Sequence, residues 1–137
     1  MGSCRKEIDR CRPFFIGILG DCYGSIIPER NISYVHDEIE YGVFDSLKKQ
    51  KTVHAFFFFR SSNVYEVIPS RYKDQFCENS AEKSKKLAIL KNSIYIKKLP
   101  VYEYSCYWNP HKIPLWSPKQ KGCFDSLGQF EKKVLEI

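Results

Sequence analysis

Nothing in this chain of 137 residues approaches the roughly 20 consecutive apolar residues of a membrane-spanning helix, so no span is expected. A secretory signal is not expected either. The N-terminal basic residues are interrupted by Glu7 and Asp9, and the apolar run that follows, Phe14–Leu19, is too short. Met1-Gly2-Ser3-Cys4 opens like an acylation signal, but Lys6 stands where Ser or Thr is required. The six cysteines include no Cys-x-x-Cys pair, which argues against both a zinc site and a disulfide framework. Cys106, His111 and Cys123 are a weak metal trio, and neither a metal nor a cofactor is expected. Reduced thiols in a cytoplasmic protein, several of them buried, are the simpler expectation. No Gly-x-x-x-x-Gly-Lys-Ser/Thr occurs, so the chain has no phosphate-binding loop of its own. Internal repeats and low-complexity segments are also absent.

What is present describes one globular domain. Hydrophobic residues make up 43% and charged residues 28%, well outside the range of disordered chains. Ten Phe and nine Tyr favour strands and large buried contacts. The net charge of +6 gives weak attraction to acidic partners. Lys83, Lys85, Lys86, Lys91, Lys97 and Lys98 read as a solvated helix face and its exit loop. Tyr102, Tyr104, Tyr107, Trp108 and Trp116 read as core and loop packing, because no basic single-strand-binding frame accompanies them. Nucleic acid is therefore not an expected partner.

The pattern of the chain gives its elements. Residues 3–11 read as a helix that Ser3 can cap, with Cys4, Ile8 and Cys11 on one face. Pro13 stops it. Phe14–Leu19 is apolar without alternation, which suits a strand covered on both faces of a parallel sheet. Asn31 or Ser33 opens a second helix with Val35, Ile39, Val43 and Leu47 as its stripe. Val53–Phe59 is the second buried strand, so that strand, helix and strand form a right-handed βαβ unit. Ser61–Tyr72 is a loop. Asn79 and Glu82 have capping-box spacing ahead of a helix over roughly residues 80–92. Val101–Tyr107 is a third strand, and Asn109–Gly122, with three prolines, is irregular. Ser126 and Gln129 cap a last helix whose stripe is Leu127, Phe130, Val134 and Ile137.

These elements imply an α/β fold. The expectation is a partial, doubly wound, flavodoxin-like or TIR-like three-layer domain with a mainly parallel sheet, spanning residues 1–137 as a single incomplete domain. Three strands are few for such a sheet, and a helix leads directly into the first one. The N-terminus is therefore expected to be truncated, leaving an unpaired edge through which copies could associate.

The segment from Glu7-Ile8-Asp9-Arg10-Cys11-Arg12-Pro13-Phe14-Phe15 through Gly20 and Gly24 resembles the uncharacterised α/β domain that precedes the NACHT ATPase module in STAND-type proteins. In that group a helix containing "EIDRCRPFFIGLLG" leads into "RYGW-x-P". Tyr23, Gly24 and Pro28 match, while Cys22 and Ser25 replace the usual Arg and Trp. Glu38-Ile39-Glu40-Tyr41-Gly42 is similar to an "ELEYG" helix and Ala55–Arg60 to an "ALFYFRD" strand, with Ser61 replacing Asp. Val101–Trp108 is similar to "V-x-x-Y-x-C-x-W", and Gly122–Phe130 to a closing "L-x-x-F" helix. The group's opening "VFVSSTF" strand and its ATPase motif do not occur here. The resemblance implies a regulatory or protein-interaction fragment of a tetratricopeptide-repeat protein of that group, with protein partners and no catalysis.

Two sites are weaker candidates. The resembled fold looks like that of nucleoside deoxyribosyltransferases, in which a helix of "GTAFEIGYA" type supplies a nucleophilic Glu. That alignment falls on Glu38 and implies a nucleoside- or NAD-processing enzyme. The simpler role for Glu38 is an acid favoured by the dipole of its helix. Asp21, Tyr23 and Gly24 follow the first strand at its C-terminal end, where open α/β sheets bind ligands. His36 and His54 fall into no triad with a nucleophile.

Overall fold

A computed structural model describes residues 2–62, 68–113, 119, 122–125 and 127–137. The elements are α1 (Gly2–Cys11), β1 (Phe14–Leu19), β2 (Ile26–Ile27), β3 (Ile32–Ser33), α2 (Tyr34–Ile39), a π-helical turn (Glu40–Phe44), α3 (Asp45–Lys48), β4 (His54–Arg60), α4 (Ser70–Phe76), α5 (Ala81–Ile96), β5 (Val101–Tyr104), β6 (Tyr107–Asn109), β7 (Cys123–Asp125) and α6 (Gly128–Leu135).

The fold is α/β, as the pattern implied. β1, β4 and β5 form a parallel sheet in the order β1-β4-β5. The register pairs Phe14 with His54 and Leu19 with Phe59, then Phe57 with Val101 and Arg60 with Tyr104. The crossover from β1 to β4 runs through α2, the π turn and α3. These read as one helix in the sequence but are broken in the middle by the five-residue turn. Ser33 caps α2 by accepting a hydrogen bond from the His36 amide at 3.1 Å, a standard end for a helix.

The core lies on one face of the sheet. Leu19, Ala55, Phe57 and Phe59 meet Ile39, Val43 and Phe44 from the crossover and Leu87, Leu90 and Ile94 from α5. Alternation along a strand sends Phe14, Ile16 and Ile18 to the other face. There the expectation of two covered faces fails, because those three residues are 62%, 52% and 54% exposed. The absence of polar residues from β1 suggested full burial. Among the described residues, the cover on that side is α6, whose Phe130 lies against Phe58 and Tyr104.

Other boundaries shift for local reasons. α1 opens at Gly2, ahead of the expected Ser3 cap, and Cys4 and Cys11 are exposed. Val35 is 40% exposed, and the buried position beside it is Asp37. Ser70–Tyr72, read as loop, begins α4. α5 is capped by Ser80, not Asn79: the Ser80 hydroxyl accepts from the Lys83 amide at 3.3 Å. The third strand ends at Tyr104, and residues 107–109 form a separate antiparallel ribbon with β7; much of the Pro-rich segment 109–122, including Pro114 and Pro118, lies outside the described residues. β2 and β3 form a small antiparallel pair that sequence periodicity did not show. α6 begins after Leu127 without a side-chain cap. Ser126 and Trp116 lie outside the described residues.

Candidate functional site

The signature segment from α1 into β1 is spent on the crossover. Arg12 Nε donates to Asp9 at 2.8 Å, and its Nη1 reaches Ser46 Oγ at 2.6 Å and the Gly42 carbonyl at 3.4 Å. Its Nη2 donates to the Tyr41 carbonyl at 3.1 Å. Tyr41 returns a hydrogen bond from its hydroxyl to Asp9 at 2.8 Å, and the guanidinium groups of Arg5 and Arg12 lie 4.7 and 5.1 Å from the centre of the Tyr41 ring. A π turn leaves carbonyls poorly satisfied, and Arg12 serves two of them. A Cβ on Gly42 would lie 2.7 Å from the Phe15 ring. The "EIDRCRPFF" and "EYG" segments therefore meet each other.

The next polar centre is also internal. Asp37 is buried and accepts from Arg5 Nη2 at 3.0 and 3.2 Å, and it pairs with Arg30 as well. A buried carboxylate requires such partners. Beside it, the Tyr23 hydroxyl and His36 Nδ1 are 2.6 Å apart, and His36 Nε2 is 3.3 Å from Glu40. Burial lowers the His36 pKa below its ordinary 6.5, against the opposing pull of Glu40.

The open site lies where β1 ends. Asp21 forms a parallel bridge with Cys77, and its carbonyl accepts from the Glu78 amide at 2.9 Å. This contact brings the start of the segment leading to α5 against the C-terminal end of the sheet. A cleft of about 410 Å³ results, lined by Asp21, Ser62, Cys77, Glu78, Ser84, Leu87, Ala88 and Lys91. Lys91 Nζ donates to the Gly20 carbonyl at 2.7 Å and stands 3.7 Å from Asp21 Oδ1. Asp21 Oδ2 is buried and has no hydrogen-bond partner among the described residues. Both oxygens of Glu78 accept from backbone amides, those of Tyr23 at 3.3 Å and Ser80 at 3.4 Å. Burial pushes the thiols of Cys22 and Cys77 up, and the charges of Glu78 and Asp21 add to this. Neither is a strong nucleophile near neutral pH. The cleft can accept hydrogen bonds from a small ligand, and among the described residues no nucleophile is paired with a base in it.

Of the expected site residues, only Asp21 lines this cleft. Tyr23 is buried beneath it on His36. Gly24 has φ 93°, a left-handed conformation that explains the glycine without a ligand. Glu38 is half-buried on α2 and does not line this cleft. Sequence reading missed Glu78, Lys91 and Asp37. Lys91 was hidden among the lysines of α5. Asp37 had no signal, because it lies about 200° around the helix from Ile39, off the apolar stripe, and its burial comes from Arg5 and Arg30. Cys106 and Cys123 are buried, His111 is exposed, and no group of metal ligands occurs among the described residues.

A short parallel sheet, crossed by a helical connection clamped to the preceding helix, defines an α/β domain. The chain belongs to the family described as a domain of unknown function (DUF4062), whose model matches residues 1–112. The matched span holds the sheet, the clamp and the cleft, whereas β7 and α6 lie beyond it. No solved structure matches the chain.

Proposed function

We propose that this chain is a non-catalytic interaction or regulatory domain of a STAND-type signalling ATPase, acting in the cytoplasm on protein partners or on an ATPase module of such a protein. The ordered resemblance of five segments to the domain before NACHT modules supports the parentage, including that of a tetratricopeptide-repeat protein. The observation that carries the interaction role is the apolar face of β1, with Phe14, Ile16 and Ile18 more than half exposed. A monomeric soluble protein rarely leaves such a contiguous patch without a use.

The second reading is a nucleoside- or NAD-processing enzyme. What favours it is the cleft at the strand end with a carboxylate, Asp21, at its wall. Its proposed nucleophile, Glu38, lies outside that cleft, which weakens the enzyme reading and strengthens the binding one. Incubating the chain with NAD and with purine and pyrimidine nucleosides, alongside Glu38→Gln and Asp21→Asn, separates the two. The interaction reading expects no released base from any of them. Release that disappears in either variant would overturn it.

A further inference from the structure

The outer face of the sheet is half covered, and the boundary of the cover has a definite shape. α6 lies over β4 and β5, with the Phe130 ring 5.1 Å from that of Phe58 and 4.9 Å from that of Tyr104. One flank of α6 faces the outer edge of β5. Ser105 Oγ donates to Gln129 at 3.2 Å, Lys133 Nζ lies 5.7 Å from the Tyr102 ring, and both α6 residues line a hollow with Glu103. At about 100° per residue the other flank carries Leu127, Glu131 and Leu135. It faces across β4 toward β1.

Leu127 and Leu135 are 45% and 80% exposed there. Beside them lies the strip of Phe14, Ile16 and Ile18, with His54 and Phe56 next to it by register. The face is thus a ridge one helix wide over β5 and the Phe58 end of β4, next to an apolar floor made by β1 and the His54–Phe56 end of β4. A helix is about 10–12 Å across with its side chains, and two strands span about 10 Å. Such a surface is its own complement under a twofold axis. Each copy's α6 enters the other copy's floor, and the two helices lie side by side between the sheets. We propose that this face is a twofold interface between two copies of the chain.

The exposed area supports this occupant. The five exposed apolar residues leave roughly 500 Å² open per copy, given about 150–200 Å² for a large apolar side chain. The pair therefore reaches the roughly 1,000 Å² of a specific interface before any polar rim is counted. Two molecules of net charge +6 repel each other. On this face, however, the strip carries no formal charge, and the α6 flank beside it carries one, Glu131, while Lys132, Lys133 and Glu136 line the hollow on the β5 side. Pairing two β1 strands edge to edge would satisfy their outer backbone groups but leave the strip in water. Burial of the strip therefore favours the face over the edge.

The proposal extends the interaction reading without depending on the STAND parentage. It is tested by sedimentation equilibrium of the full chain, from micromolar to several hundred micromolar, with Ile16→Glu and Leu135→Glu beside the wild type. Both positions are more than half exposed, so folding of the variants is expected and is checked by circular dichroism. A wild-type dimer weakened at least tenfold by each substitution is the expected result. A monomer at every concentration overturns the proposal, as does a dimer that responds to Ile16→Glu alone, the pattern of edge pairing. A monomer leaves a different protein partner in place, whereas base release from NAD would overturn the interaction reading whatever the mass.

Discussion

Gly42 shows how little slack the family signature has. Its added Cβ would lie 2.7 Å from Phe15 and 3.2 Å from Ile8, both on the neighbouring signature segment. Gly42→Ala is expected to cost about 1–3 kcal/mol in urea unfolding, as overpacking does. Gly128→Ala, where nothing lies within 4 Å, should change stability by less than about 0.5 kcal/mol. Equal costs would refute the packing account. Asp37 is the complementary case, a buried charge held by two arginines that are themselves 38% and 41% exposed. Because both arginines can rehydrate, Asp37→Asn should cost about 1–3 kcal/mol, less than the loss of a fully buried pair. His36 sets a pH dependence. Its folded pKa lies below the ordinary 6.5 because burial disfavours the imidazolium. The unfolded chain therefore takes the proton first, and stability falls as pH drops from about 6.5 toward the folded value. Above that window the contribution is constant. Tyr23, Glu40, Arg30 and Lys86 surround the ring. The urea midpoint should be lower at about pH 5.5 than at about pH 7.5, and the difference should shrink in His36→Gln. An unchanged difference in that variant would assign the effect to another group.

The elements differ in how much of them could be read from sequence. β1 and β4 were visible because their unbroken runs of Phe, Ile and Leu are too apolar for a loop and too short for a buried helix. The helix caps were visible only as a choice between adjacent polar residues, and Ser80 prevailed over Asn79 because its hydroxyl meets the Lys83 amide. The π turn had no signal in the apolar stripe, since its cause is tertiary: Arg12 and Phe15 hold the turn from outside. Exposure of one face of β1 was equally hidden, because an uncovered apolar face and a covered one use the same residues. Among the elements, α6 is the sole described cover of the outer face near Phe58. Phe130→Ala should cost about 2–4 kcal/mol by opening space against Phe58 and Tyr104. Thermal unfolding would measure it, and a cost below about 0.5 kcal/mol would mean that α6 is only loosely attached.

For the whole molecule, the fold class was legible, and of the cleft only Asp21 was. Periodicity gives the order of strands and helices, but a cleft depends on contacts between distant segments. Asp21 and Glu78 are brought together by a single bridge beyond β1, and neither residue's position in the chain announces the other. The same holds for the uncovered face, which exists only because α6 settles toward β5. That face is the working surface in this account, and its burial between copies links stability to concentration. The most direct measurement is the thermal midpoint of the full chain over a hundredfold range of concentration, compared with Ile16→Glu. The midpoint should rise with concentration in the wild type and stay level in the variant. A wild-type midpoint independent of concentration would contradict the twofold interface.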